Sequence, residues 1–283
     1  MTVPERPPTP DDITIRPAAS VADYEACQDA QRRSWGITDD SYVVPLATLV
    51  GAQHHGGLVL GAFRPDGSAA GLSFAFLGRV DGRLCLYSQL TGIVPEYQGR
   101  NLGLRLKHAQ RDFCRREGVE RIAWSFDPLQ AGNAHFNLGR LGALAVRHIP
   151  DMYGRRSDAL NAGAPTDRLI VEWPVDPEAM PDRPPVDPAR ADRLIDVYEG
   201  PDGTLEPLGT RLPGPPASPA LIEVPADIAA LRRADPARAT AWALATRRAF
   251  ADAFNAGRVA DAFLRDDTGP RRRCFYVLRP RPA

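Results

Sequence analysis

Residues 84–118, LCLYSQLTGIVPEYQGRNLGLRLKHAQRDFCRREG, constrain the fold more than any other stretch of this chain. An apolar-rich run ends at Val94-Pro95, the polar turn Glu96-Tyr97-Gln98-Gly99-Arg100-Asn101 follows, and Leu102, Leu106, Ala109 and Phe113 then recur at helical spacing. The pattern predicts strand, turn, helix. The first N–H groups of a helix entered this way have no partner within the helix, and the summed peptide dipoles add partial positive charge there, so an anion is the natural ligand. Gly99 and Gly103 remove side chains that would block close approach. The turn reads as a phosphate cradle, and a strand-turn-helix connection without a ligand is the alternative that the same residues allow.

The residues that follow add to this reading. Arg121 to Leu129 (RIAWSFDPL) reads as a second strand, Asn133-Ala134-His135-Phe136-Asn137 begins a short helix that Gly142 ends, and Asp167 to Trp173 (DRLIVEW) closes as a further strand. The hexapeptide Gln98-Gly99-Arg100-Asn101-Leu102-Gly103 resembles the Gln/Arg-x-x-Gly-x-Gly/Ala pyrophosphate loop of GNAT-type, acyl-CoA-dependent N-acyltransferases, and Val94 to Arg100 is how that loop is commonly introduced. The first loop glycine of the family is Asn101 here, and Asn is, after Gly, the residue that best tolerates left-handed backbone angles. Within that group LKHAQRDF, WSFDPLQAGNAHFNLGRLGA, MYG and DRLIVEW are similar to a subgroup of bacterial and archaeal acyltransferases, some of them associated with N-succinylation of amino acids. The resemblance spans residues 12–176 and, more loosely, the C-terminal part.

What the resemblance implies is specific. The fold is α+β in three layers, a mixed and mostly antiparallel sheet flanked by helices, with a smaller C-terminal α+β unit. Gln98, Gly99, Arg100, Asn101, Leu102 and Gly103 would hold the CoA pyrophosphate. Gly92, Ile93 and Val94 would pair with the pantetheine amides in a gap beside the Arg121 to Phe126 strand, with N–H groups near Ile93 and Val94 as oxyanion donors. Asn133 and Phe136 would meet the cofactor arm, although Asn133 could equally cap its helix. The acyl donor is acetyl-CoA or succinyl-CoA, no metal takes part, and the acceptor is the amine of a small molecule, an amino acid among the candidates, attacking directly in a ternary complex. A non-catalytic acyl-CoA-binding or regulatory module and a protein or peptide acetyltransferase are the competing readings.

A departing thiolate with a pKa of about 8.5 needs only a modest proton donor. The tyrosine that the family often places after a Phe in the short helix is Asn137 here, which cannot serve as an acid. Tyr153 of Met152-Tyr153-Gly154 is the substitute, its bland alternative a buried Tyr with a satisfied hydroxyl. For the base, Asp127 at its strand end is preferred to Glu96 before the loop, with turn formation ahead of Pro128 as the structural explanation of Asp127. His135 is either a useful titrating group or an ordinary surface His.

The chain's 283 residues, 43% hydrophobic and 25% charged, suit a soluble globular protein of one large or two ordinary domains. Thirty-five basic residues balance thirty-five acidic ones, so no overall field favours nucleic acid or an anionic membrane. Cys27, Cys85, Cys114 and Cys274 form no CxxC pair, which argues against a zinc site and a disulfide scaffold and for a reducing, cytoplasmic setting. No signal-peptide core and no apolar run of about 18 residues is present. Lys107 is the only lysine, a skew assigned to codon bias rather than function. Adjacent His54 and His55 point about 100° apart on a helix and make a poor metal pair.

Four segments are expected: a disordered tail over 1–11, an acyltransferase domain over 12–176, a proline-rich linker over 177–192 and a smaller α+β unit over 193–283. In the first domain Ser20-Val21-Ala22-Asp23 has the form of a capping box, with Val21, Tyr24, Cys27 and Gln31 along one side of a helix ending near Gly36. Asp39 and Asp40 are solvated turn residues in one reading and an amine site in the other. Leu58 to Phe63 and Ala69 to Leu77 form a hairpin, and Asp81-Gly82 makes the next turn. In the C-terminal unit a helix from Ala226 breaks at Asp235-Pro236 and resumes to Ala256, between short strands at Leu194 to Glu199, Leu221 to Val224 and Cys274 to Leu278. Packing, dimerisation or shaping of the acceptor pocket are the roles open to it.

Overall fold

The structure is a computed structural model and describes residues 12–154, 165–180, 182–188, 190–201, 203–214 and 218–281. The expected tail 1–11 and Asp202 of the expected Pro201-Asp202-Gly203 turn lie outside the described residues. The chain forms two compact units that divide between Ala123 and Trp124, ahead of the proline-rich 177–192.

The first unit runs β1 (Thr14–Pro17), α1 (Val21–Trp35), α2 (Leu46–His54), β2 (Leu58–Phe63), β3 (Ala69–Val80), β4 (Arg83–Ile93), α3 (Leu102–Glu117) and the start of β5 (Arg121–Phe126). Its strands lie in the order β1-β2-β3-β4-β5, antiparallel as far as β4 and parallel from β4 to β5. A parallel neighbour requires a crossover, and α3 is that crossover.

Local chemistry sets these elements. The Ser20 side chain accepts the Asp23 N–H, Arg16 clasps the Asp23 carboxylate at 2.7 and 2.8 Å, and Gly36 ends α1 in the left-handed conformation. Asp81 and Gly82 both take positive φ, 48° and 77°, as a tight hairpin turn demands. Tyr24, Cys27, Ala30 and Gln31 are the buried side of α1, whereas Val21 is 59% exposed and leaves the expected stripe. On α3 the buried residues are Leu102, Leu106, Lys107, Gln110 and Cys114 rather than Ala109 and Phe113, so the inward face is turned from the one read off hydrophobicity. Ile13, Tyr24, Cys27, Leu49, Phe63, Leu72, Phe74, Val94 and Leu102 belong to one core.

The second unit contains α4 (Ala131–Ala134), β6 (Leu144–Ile149), β7 (Arg168–Pro174), β8 (Asp192–Arg193), β9 (Ile195–Glu199), β10 (Leu205–Thr210), β11 (Ala220–Val224), α5 (Ile228–Ala234), α6 (Pro236–Asn255), β12 (Arg258–Asp266) and β13 (Arg273–Pro280). One sheet runs β7-β6-β12-β13-β11-β8, and β9 pairs with β10 apart from it. Strand β6 precedes the proline-rich stretch and β12 follows it, yet they pair at Ala145 and Ala260, so that stretch is an excursion within one unit. The expected helix after Asn133 is α4 continuing into a single π turn over His135–Arg140, which Gly142 closes at φ 73°. The whole is an α+β protein with a large, mostly antiparallel sheet flanked by helices. No helix among the described residues is long and apolar enough to cross a membrane.

Candidate functional site

The β4–β5 ladder consists of two pairs, Leu86 with Ile122 and Tyr87 with Ala123. On its other side β4 stays paired with β3 out to Ile93, opposite Gly71. Among the described residues, the edge of β4 from Ser88 to Ile93 is therefore off the β5 ladder. A register shift marks the same place: Ala75 faces Ser88 and Phe74 faces Leu90, so Gln89 is the extra residue of a bulge. Bulges bend a strand and increase its local twist, which turns the rest of β4 away from its former line.

Beyond Ile93 a single 3₁₀ turn, Pro95–Tyr97, leads to the loop. Gln98 donates its side-chain N–H to Ile93 O at 3.0 Å and pins the loop to the strand end. Gly99 (φ 74°) and Asn101 (φ 62°) are both left-handed, and a Cβ at Gly99 would meet nothing within 4 Å. The first N–H bond of this kind in α3 runs from Arg105 to Asn101 O at 3.1 Å, so the N–H groups of Leu102, Gly103 and Leu104 are the donors at the helix mouth. No carboxylate stands in that first turn, and the Asn101 side chain does not cap it. The guanidinium of Arg100 sits 5.3 Å and that of Arg64 5.6 Å from the Tyr97 ring centre, which adds positive charge beside the loop. The Leu102 side chain is in the core, so this residue can offer a ligand only its backbone.

The strand end, the turn and the helix mouth are the elements that the resemblance to the GNAT acyltransferases implies. One expectation drawn from that resemblance needs correction. The Val94 N–H donates to Ala70 O at 3.1 Å, so the β3 backbone already occupies the group expected as an oxyanion donor. Gly92 has a packing reason of its own, because the Trp35 ring and Ser34 occupy the space of any side chain there.

Of the expected titrating groups, Glu96 lies beside the loop and pairs with Arg33. Asp127 accepts the Leu129 N–H at 2.9 Å with one oxygen and meets Arg232 at 3.0 Å with the other, so both the turn explanation and an ion pair describe it. Arg232 lies on α5, and nothing near Asp127 in sequence signals it. The Tyr153 ring is 37% exposed, stacked against the Arg168 guanidinium at 5.1 Å, with its hydroxyl 3.3 Å from Ser125 Oγ; it is not the buried tyrosine of the bland alternative. Its backbone N–H donates to Thr166 Oγ1. Asn133 is exposed within α4 and does not cap it, Gln130 being the residue that precedes the helix. Phe136 is half-buried under Arg140, and Asn137 is buried. Burial, with the positive charges of Arg265, Arg140 and Arg272, pushes the His135 imidazole below its ordinary pKa.

Two polar clusters escaped sequence reasoning altogether. In the second unit Asp167 is buried with His148 at 3.0 Å and is clasped by Arg247, which also reaches Asp151 at 2.8 Å. Burial alone would raise the Asp167 carboxyl, yet His148 and Arg247 hold it well below the usual carboxylate range. In the first unit Lys107, Gln110, Ser88, Ser73 and Thr91 are linked beneath β4. Asp40 forms an ion pair with Arg32 and Asp39 accepts the Ser41 N–H, which is the turn reading of that pair. All four cysteines are buried and unbridged.

No family model and no curated protein matches the chain. Among solved structures it is similar to the NatC complex bound to Gag peptide and CoA, at 13% identity and a TM-score of 0.45 over 58% of this chain and 98% of that one. It is similar to the ribosomal-protein-S18-alanine N-acetyltransferase from Escherichia coli at 19% identity and 0.44, over 58% and 94%. The IAA acetyltransferase from Bacillus cereus ATCC 14579 is similar at 13% identity and 0.44, over 57% and 99%.

Proposed function

We propose that this chain is an acyl-CoA-dependent N-acyltransferase that passes an acetyl or succinyl group to the amine of a small molecule, with amino acids as the first class of acceptor to try. The observation that carries the reading is the pairing of a left-handed Gly99/Asn101 turn at the open mouth of α3 with a β4 edge that leaves its parallel neighbour after Tyr87. The mouth offers three backbone donors and partial positive charge to a diphosphate. The edge offers an extended row of amides along which an amide-bearing arm adds as a strand would.

When bound, the CoA thioester supplies an activated acyl carbon. The amine nitrogen attacks that carbon, the C–N bond forms, the C–S bond breaks, the nitrogen gives up a proton and the thiolate gains one. Asp127 and Glu96 are each engaged by an arginine. Tyr153, 37% exposed and with its hydroxyl 3.3 Å from Ser125 Oγ, is the candidate to give the thiolate its proton, and Asp127, in preference to Glu96, the candidate base.

Isothermal titration with acetyl-CoA and succinyl-CoA, followed by thiol release with a panel of amino acids, tests the reading. Binding and amine-dependent thiol release are expected, and failure to bind either thioester overturns it. Binding without turnover on any amine supports the second reading, a non-catalytic acyl-CoA module. The observation favouring that one is Asn137, buried where the resembled family often carries a proton-donating tyrosine. Acylated lysine on an added protein would assign a protein acetyltransferase instead.

A further inference from the structure

The buried cluster under β4 stands where that strand parts from β5. Lys107 is 4% exposed, and its Nζ is 2.9 Å from Ser88 Oγ. Gln110, three residues on along the same face of α3 and fully buried, donates to Ser88 Oγ at 3.0 Å and to Ser73 Oγ at 2.7 Å. Ser73 Oγ is in turn 2.9 Å from Thr91 Oγ1. Ser88 is the first β4 residue past the last pair with β5, and its successor Gln89 is the bulge residue. The cluster is therefore built into the fork of the sheet.

Its chemistry favours one protonation state. A serine hydroxyl has one proton to give. Ser88 Oγ accepts from Gln110, and its own proton can go to the lone pair of a neutral Lys107 amine. An ammonium has no lone pair. Ser88 would then accept from both Lys107 and Gln110 and turn its proton to another acceptor, and an ammonium only 4% exposed would be kept from water, which is costly.

We propose that Lys107 is a positioning residue: its amine holds Ser88, and with it the fork between β4 and β5, in the register that leaves the β4 edge open to an extended, amide-bearing ligand, and protonation loosens that hold. The inference rests on the acyl-CoA reading of the β4 edge. Burial lowers the Lys107 pKa from 10.5 to about 7, within reach of ordinary pH. Among the described residues, the buried titratable or charged groups on α3, on the strands it packs against (β1 to β4) and on β5 include Cys114 on α3, Cys85 and the Tyr87 hydroxyl on β4, and Arg121 on β5. Burial pushes the Cys114 thiol up to about 12, so it stays neutral, and desolvation rather than any of these groups lowers Lys107.

A chain with one lysine makes the test direct. Full-length protein labelled with carbon-13 at lysine Cε gives one lysine resonance, whose shift follows the charge on Nζ. The expected midpoint is about 7, and saturation with CoA should displace the resonance. CoA affinity should rise about fivefold or more from pH 6 to pH 8 in the wild type, and this rise should shrink to the part due to CoA itself in Lys107→Met and in Ser88→Ala. The titration in unsubstituted protein holds even if Lys107→Met fails to fold. A midpoint near 10, or CoA binding whose pH dependence is the same in wild type and Ser88→Ala, overturns the proposal alone. Absence of CoA binding by the wild type at either pH overturns the acyl-CoA reading and the positioning role with it.

Discussion

Trp35 lies where a side chain on Gly92 would go: a Cβ there would meet ring atoms Cη2 and Cζ3 at 2.6 Å and Ser34 Cβ at 2.9 Å. The end of α1 is thus seated directly on the β4 backbone, a few residues before the loop. Gly92→Ala should displace the ring and cost roughly 1–3 kcal/mol, as overpacking of a fitted contact does. Denaturant unfolding, with near-ultraviolet circular dichroism to follow Trp35, measures both effects. An unchanged midpoint and spectrum would mean that the ring is not seated there.

Asn101 stands at φ 62° where the resembled family has glycine. Asn101→Gly removes the cost of that conformation and should leave stability and CoA affinity within about twofold of wild type. Asn101→Val places a β-branched residue where left-handed angles are most costly, about 1–2 kcal/mol, and should weaken CoA binding by about tenfold or more as the turn relaxes. Titration calorimetry on both variants decides. Equal affinities would make the turn geometry irrelevant to the ligand.

Asp127 and Arg232 form a half-buried pair 3.0 Å apart, with side-chain exposures of 16% and 19%. Removing either partner should destabilise the second unit, and a double-mutant cycle with Asp127→Asn and Arg232→Met should return a coupling of about 1–2 kcal/mol. If Asp127 is instead the base, its substitution will lower kcat/KM a hundredfold or more while Arg232→Met leaves turnover in place.

The Asp167 carboxyl is held below its unfolded pKa of about 3.9. Its contribution to stability is therefore present above about pH 4 and is lost as the pH falls through the native value. Arg247→Met takes away the two hydrogen bonds that Arg247 gives to Asp167 and should cost about 3 kcal/mol near neutrality. The deficit relative to wild type should narrow below about pH 4, where the carboxyl of the unfolded chain is protonated. Melting temperatures of both proteins across pH 3 to 7 test this, and a constant difference would remove Asp167 from the account.

Much of the first unit can be read from the chain because its instructions are local. Ser20 and Gly36 bracket α1, Asp81-Gly82 turns β3 into β4, and Gly99 and Asn101 set the mouth of α3, each through hydrogen bonds or φ angles confined to a few neighbouring residues. Strands β6, β10 and β12 are not legible in that way. LAVRHI and LEPLGT are six residues long; the first is a strand through partners far along the chain, such as Ala260 for Ala145, and the second through β9, the strand just before it.

The site divides along the same line. The sequence by itself determined that a left-handed, glycine-bearing turn opens a helix behind a strand, since backbone preferences act over a few residues. Only tertiary packing decided that Arg232 meets Asp127, that Ala70 takes the Val94 N–H, and that the one lysine is buried against Ser88 at the fork of the sheet. The reason is that burial and hydrogen-bond partnership are properties of surfaces brought together from distant parts of the chain, and a side chain's charge state follows from them.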